Sequence, residues 1–151
     1  MTLPGRLHHD VPAWIEDGAC FHVRVRAMNG CELVGRSGVV ARAILEEAEE
    51  NHLRRIWYCR LFLVMPAHCH AMPTFPRNKK MSAIIGGWKS LVAKRHGVGW
   101  QPGYFDHRLR NRKEEDECWR YIRANPVRAG LIADELDLPW RFEAEEPATP
   151  E

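Results

Sequence analysis

Few stretches leave a chain as little choice as Leu61-Phe62-Leu63-Val64-Met65-Pro66-Ala67-His68-Cys69-His70-Ala71-Met72-Pro73-Thr74-Phe75. It reads as an apolar strand, a tight turn at Pro66, and a second strand carrying two histidines one residue apart. Side chains on a strand alternate faces with a period of two, so His68 and His70 point to one side of a sheet and Cys69 to the other. Two imidazoles side by side form a candidate pair of metal ligands. A pair at this spacing is served as well by hydrogen bonds alone. Pro73 cannot donate to a ladder, and it implies an early strand end or a bulge.

The neighbouring segments indicate what surrounds that pair. Phe21 to Ala27 alternates apolar and polar residues, the pattern of a strand with one wet face. A helix is predicted from about Ser37 to Asn51, burying Val40, Ile44, Leu45 and Ala48. Arg55 to Met65 reads as a strand in a sheet interior. From Asn78 to His96, Met81, Ile84, Ile85, Trp88, Leu91 and Val92 recur at helical spacing. Gly86-Gly87 interrupts this helix, with a kink as the plain expectation and close approach of backbone or ligand as the other. Trp100 to Arg110 predicts a strand, and a last helix runs from near Lys113 to about Ala124. Pro126 stops it or sits in a turn directly beyond it.

The order is β-α-β-β-α-β-α. A split β-α-β unit repeated twice gives an α+β fold, a ferredoxin-like antiparallel sheet with helices on one face, to which a C-terminal helix is added. The length of 151 residues fits one domain, spanning 1–151 with a core at about 21–142. Residues 1–20 are expected to be irregular, with Trp14 pinning them to the body. The acidic, Pro-rich tail, 143–151, is expected to be disordered.

Charge is distributed unevenly. Between Arg77 and Lys113 ten lysines and arginines face one acid, Asp106, whereas from Glu114 onward four face eleven acids. Folding does not require such separation; a basic surface for a polyanion does. Lys79, Lys80, Lys89, Lys94, Arg95, Arg108, Arg110 and Arg112 are the candidate contacts to a nucleic-acid backbone. The cysteines at 20, 31, 59, 69 and 118 have neither disulfide-framework nor zinc-ribbon spacing and imply reduced thiols. With no signal-like or membrane-length apolar run, a cytoplasmic, nucleoid-associated protein without a membrane partner is expected.

Tyr121 and Asn125 lie four residues apart and share a helix face if the last helix reaches position 125. A phenolic oxygen can act as a covalent nucleophile, and an amide oxygen suits a hard divalent cation. The plainer alternative makes Tyr121 a half-buried helix aromatic and Asn125 a cap before Pro126. Tyr58 reads as core, Tyr104 as packing or base stacking, and His107 as a surface hydrogen bond or a phosphate contact.

Met65-Pro66-Ala67-His68-Cys69-His70 resembles the M-P-N-H-x-H signature of single-tyrosine HUH transposases, with Ala67 in place of the usual Asn. Tyr121-Ile122-x-x-Asn125-Pro126-Val127-Arg128-Ala129-Gly130-Leu131 is similar to the tyrosine-helix motif of their REP-associated branch. Trp88-Lys89, Trp100 to His107, and Pro139-Trp140 also fall where that branch has similar segments. The resemblance spans roughly residues 21–142. It implies a ferredoxin-like fold, a Mg²⁺ or Mn²⁺ ion held by His68, His70 and Asn125, and Tyr121 as nucleophile. The implied activity is that of a metal-dependent single-stranded DNA endonuclease and strand transferase. It would form a 5′-phosphotyrosine at hairpin or repeat DNA and work as a monomer or homodimer. The alternative is a non-catalytic, domesticated DNA- or RNA-binding module on the same scaffold, to which the basic segment is equally suited.

Overall fold

The computed structural model describes residues 11–15, 18–135 and 138–144. The chain runs β1 (Ala19–Arg26), α1 (Val39–Leu53), β2 (Tyr58–Val64), β3 (His68–Phe75), α2 (Met81–His96), β4 (Phe105–Leu109), α3 (Arg112–Arg128) and β5 (Arg141–Glu143). The sheet order is β4-β1-β3-β2-β5, with every neighbouring pair antiparallel. The first four strands have the expected ferredoxin-like order. β5 is an addition at the β2 edge, too short to show an alternating pattern in sequence.

Alternation along the strands sorts the interior into two layers. Val23, Val25, Phe62, Val64, Cys69 and Ala71 face a core built with Ile44, Leu45 and Ala48 of α1 and Ile85, Trp88 and Val92 of α2. On the other face Leu61, Leu63, Met65 and Met72 pack with Cys118 and Ile122 of α3. α1 and α2 thus cover one face and α3 the other. His68 and His70 belong to the face that α3 covers.

Pro73 does not end its strand. β3 continues to Phe75, and the irregularity appears in the partner: one extra residue in β2 between Cys59, opposite Pro73, and Phe62, opposite Ala71. This bulge turns both Arg60 and Leu61 toward α3, Arg60 lying over the Trp119 ring.

α2 runs without a break through Gly86 and Gly87, in place of the expected interruption. Both glycines are exposed, and a Cβ at either would meet nothing within 4 Å. α3 begins with an Asn N-cap: Asn111 Oδ1 accepts from the Glu114 backbone N–H at 2.9 Å, and Asn111 Nδ2 donates to Glu114 Oε2 at 3.4 Å. The helix also runs past Pro126 to Arg128 instead of stopping there. Pro126 lies on the buried stripe with Cys118 and Ile122, and that packing offsets the donor it removes.

β5 secures α3. Glu143 Oε1 accepts from Trp119 Nε1 at 3.2 Å, and its Oε2 pairs with Arg123 and Arg141 at 3.5 and 3.3 Å. Glu143, placed in the tail by sequence, is therefore structural. The polar entry segment before residue 11 and the tail from 145 lie outside the described residues. Trp14 carries the Arg55 guanidinium 5.8 Å above its ring, and its neighbour Ile15 is buried. Trp140 packs against both cores and so closely on Gly38, at φ 69°, that a Cβ there would lie 2.8 Å from the indole. Any side chain at position 38 would displace that ring.

Candidate active site

The site starts from cross-strand register. β1 places Arg24 opposite His70 and Arg26 opposite His68, and on its other side Arg24 stands opposite Phe105 of β4. The wet face of β1 thus lies in the same layer as the histidine pair. Over that layer α3 carries Tyr121 and Asn125, one turn apart.

His70, 1% exposed, is the centre. Its Nε2 lies 3.1 Å from His68 Nε2 and 2.8 Å from the Asn125 amide. Its Nδ1 lies 3.0 Å from His22 Nε2, with the two rings stacked at 5.2 Å. One proton assignment satisfies all three contacts. His70 Nδ1–H donates to His22, and His70 Nε2 accepts from His68 Nε2–H and from Asn125 Nδ2–H. Burial, foremost, holds all three imidazoles below their ordinary value, His22 and His68 at about 4 and His70 at about 2. The adjacent Arg24 charge adds to the effect at each, and Arg26 adds to it at His68 and His70. The rings are therefore neutral near pH 7, the state in which imidazole ligates a metal.

Among the described residues no group of three or more His, Cys, Asp or Glu side chains could hold a metal ion. The donor set here is two imidazoles and an amide, and it fits a divalent cation on two observations. His70 Nε2 already accepts hydrogen bonds from two sides, so its lone pair is directed at the space between His68 and Asn125. His68 Nδ1 is buried without a hydrogen-bond partner, so nothing but the site-facing Nε2 gives this ring a polar role. The two ends of the Asn125 amide are nearly isosteric, so Oδ1 is available at the same position.

Tyr121 is 48% exposed, its ring centroid 6.4 Å from that of His22 and 6.5 Å from that of His70. Arg128 holds it from two turns further along α3. Arg128 Nη2 donates to the Tyr121 carbonyl at 2.9 Å, and the guanidinium carbon lies 4.7 Å from the ring centre. Tyr121 opens on a cavity of about 530 Å³ lined also by His22, Arg24, Phe105, His107, Glu114 and Glu117. That is room for a nucleotide-sized group.

The structure thus brings His68, His70, Asn125 and Tyr121 together. Sequence reasoning missed His22, Arg24, Arg26 and Arg128. The period-two polar face of β1 signals the first three, but only once β1 is known to pair with β3.

The eight basic candidates divide. Arg108 and Arg110, with Gly18 to Cys20 and Glu115, line a cavity of about 520 Å³, and Arg108 shares a second one with Lys79. Arg112 is half-buried at the start of α3, its Nη1 without a hydrogen-bond partner. Lys80 and Lys94 are exposed. Lys89 donates to the carbonyls of Gln101 and Gly103 at 2.9 and 2.7 Å, tying α2 to the loop before β4. Arg95 pairs with Glu47 of α1 at 3.3 Å. Lys89, Lys94 and Arg95 belong to α2, across the sheet from the histidines. Tyr58 is buried as expected, Tyr104 is half-buried, and His107 is exposed with Glu114 at 3.9 Å. All five cysteines are free thiols.

No protein-family model matches the chain. Over 84 residues it is 29% identical to the REP-associated tyrosine transposase of Escherichia coli (strain K12), a match covering 52% of this chain. The chain spans about half (50%) of the length of that relative. Its fold is similar to that of a REP-associated tyrosine transposase bound to a REP hairpin. The TM-score is 0.67 at 22% identity, over 87% of this chain and 80% of the other. It is also similar to a putative transposase from Deinococcus radiodurans R1, with a TM-score of 0.54 at 13% identity, over 75% of this chain and 94% of the other.

Proposed function

We propose that this chain, which is similar to the REP-associated tyrosine transposases in both sequence and fold, is a metal-dependent single-stranded DNA endonuclease and strand transferase. Its substrate would be hairpin or repeat DNA. The observation that supports this most is that His70 Nε2 lies 3.1 Å from His68 Nε2 and 2.8 Å from the Asn125 amide, one helical turn from Tyr121, whose ring centroid is 6.5 Å from that of His70. A module that only bound DNA would have no use for that arrangement.

His68 and His70 would hold a Mn²⁺ or Mg²⁺ ion through Nε2, and Asn125 through its amide oxygen. The two nitrogen donors suit Mn²⁺ better than the harder Mg²⁺. When bound, the cation supplies Lewis-acid polarisation of the scissile phosphate. His22 accepts the Nδ1 proton of His70 and so keeps the Nε2 lone pair directed at the site. α3 and Arg128 hold Tyr121 at the cavity mouth, where its Oη can meet a phosphodiester in line. The new bond joins Tyr121 Oη to phosphorus while the P–O3′ bond breaks. The phenol loses a proton, the departing 3′ oxygen gains one, and a 5′-phosphotyrosine is left. One phosphodiester is exchanged for another, so the step needs no nucleotide cofactor and can run backward or onto a new 3′ end.

The test uses single-stranded hairpin DNA labelled 3′ to the cut, with Mn²⁺ or Mg²⁺. Wild type should give a labelled protein adduct that survives denaturation. Tyr121→Phe should give none, with DNA affinity within about threefold because backbone contacts dominate binding. Binding without any adduct across a broad hairpin library would favour a non-catalytic DNA-binding module instead.

A further inference from the structure

Arg24 is a charged side chain with no ion-pair partner among the described residues. It is half-buried at mid-sheet, directly between Phe105 and His70. Its guanidinium carbon stands 4.7 Å from the Phe105 ring centre, and its Nε is buried without a hydrogen-bond partner. Among the described residues no carboxylate pairs with it, although Glu114 and Glu117 line the same cavity. Three other arginines on the α3 side of the sheet have a carboxylate within 3.7 Å: Arg60 with Asp116, Arg123 with Glu135 and Glu143, and Arg141 with Glu143. Arg24 also lines two cavities at once, that of Tyr121 and a neighbouring one of about 230 Å³ with Arg26 and Tyr104. Phe105, on which it stacks, lines both as well, so the Arg24–Phe105 pair stands where the two cavities meet.

A guanidinium presents its donors in a planar fork that matches the oxygens of a phosphodiester. Stacking on Phe105 holds that fork in place, so little rotamer entropy is lost when an anion arrives. We propose that Arg24 is the anion-binding residue of this site, donating to a non-bridging oxygen of the phosphodiester that Tyr121 attacks. The path of a single strand follows from this: the scissile phosphate lies at Arg24, and the flanking nucleotides occupy the two cavities on either side. The inference rests on the reading of Tyr121 as nucleophile.

Wild type, Arg24→Gln and Arg24→Lys would be compared on a hairpin whose cut linkage the wild-type adduct has already identified. Two substrates serve, the natural phosphodiester and the same DNA with a charge-neutral methylphosphonate at that linkage, each diastereomer separately. On phosphodiester, Arg24→Gln should slow adduct formation by about 100-fold, the scale for removing one preorganised donor to developing charge. Arg24→Lys should recover part of the loss. On at least one methylphosphonate the gap between wild type and Arg24→Gln should close, because the charge the guanidinium meets is gone. A structural role for Arg24 would leave the gap equal on every substrate, and that result overturns the proposal. So does an Arg24→Gln protein that forms adduct at the wild-type rate. If wild type forms no adduct at all, the nucleophile assignment falls and this proposal falls with it.

Discussion

Both nitrogens of His70 are occupied, one by His22 and one by His68 and Asn125. Removing the His22 partner leaves the His70 tautomer and ring angle unset. His22→Ala should therefore weaken Mn²⁺ affinity by about 10–100-fold, the usual cost of losing a hydrogen bond behind a metal ligand. His22→Gln, whose Oε1 can still accept, should lose less. Electron paramagnetic resonance of free Mn²⁺ during titration reads this without DNA present, and unchanged affinity in His22→Ala would remove the orienting role. The same residues show how far the sequence could be read. His68 and His70 were legible because a period-two pattern fixes their common face whatever the fold. His22, Arg24 and Arg26 share that face only through the pairing of β1 with β3, across 42 to 48 residues, for example Arg26 with His68 and Arg24 with His70. Local periodicity carries no information over that distance. Lys89 was misleading for the opposite reason: its charge is legible in the sequence, but its two carbonyl acceptors are supplied by a loop more than ten residues away.

Elements are where the glycines and prolines tested the reading. Gly86 and Gly87 sit exposed in the unbroken interior of α2 with open space where a Cβ would be. Replacing either with Ala should raise stability by about 1 kcal/mol, because glycine pays the larger backbone entropy in a helix. Urea unfolding measures it, and a loss of stability would mean that the glycines serve a packing contact the free chain does not make. Pro126 reads as a stop or a turn just beyond the helix because a proline N cannot donate, but it sits on the stripe that buries Cys118 and Ile122, and the helix carries on to Arg128. That extra turn delivers the guanidinium which holds Tyr121. β5 escaped the sequence because three residues cannot display a period, yet through Glu143 it secures the helix that bears Tyr121.

At the scale of the molecule, three neutral imidazoles under one helix make the fold sensitive to acid. In the unfolded chain they titrate near the ordinary value of 6.5, whereas in the folded protein His22 and His68 resist protonation to about pH 4 and His70 to about pH 2. As pH falls from about 6.5 to 4, the unfolded chain binds protons that the native state cannot, so stability falls across that window and is full above it. The urea midpoint should drop between pH 7.5 and pH 5, and the drop should be shallower in His68→Gln. An equal slope in both proteins would mean that these rings do not govern it. The two-layer plan has one more consequence, in the timing of synthesis. β1 and β3, with all three histidines, are complete in the chain by Phe75, but Tyr121 and Asn125 arrive only with α3. The contact between His70 and Asn125 spans 55 residues, which at ~5–20 residues per second takes about 3–11 s to translate. During that interval a nascent chain carries its histidines without Tyr121 and Asn125, so under the proposed function it could meet DNA before it could cut it.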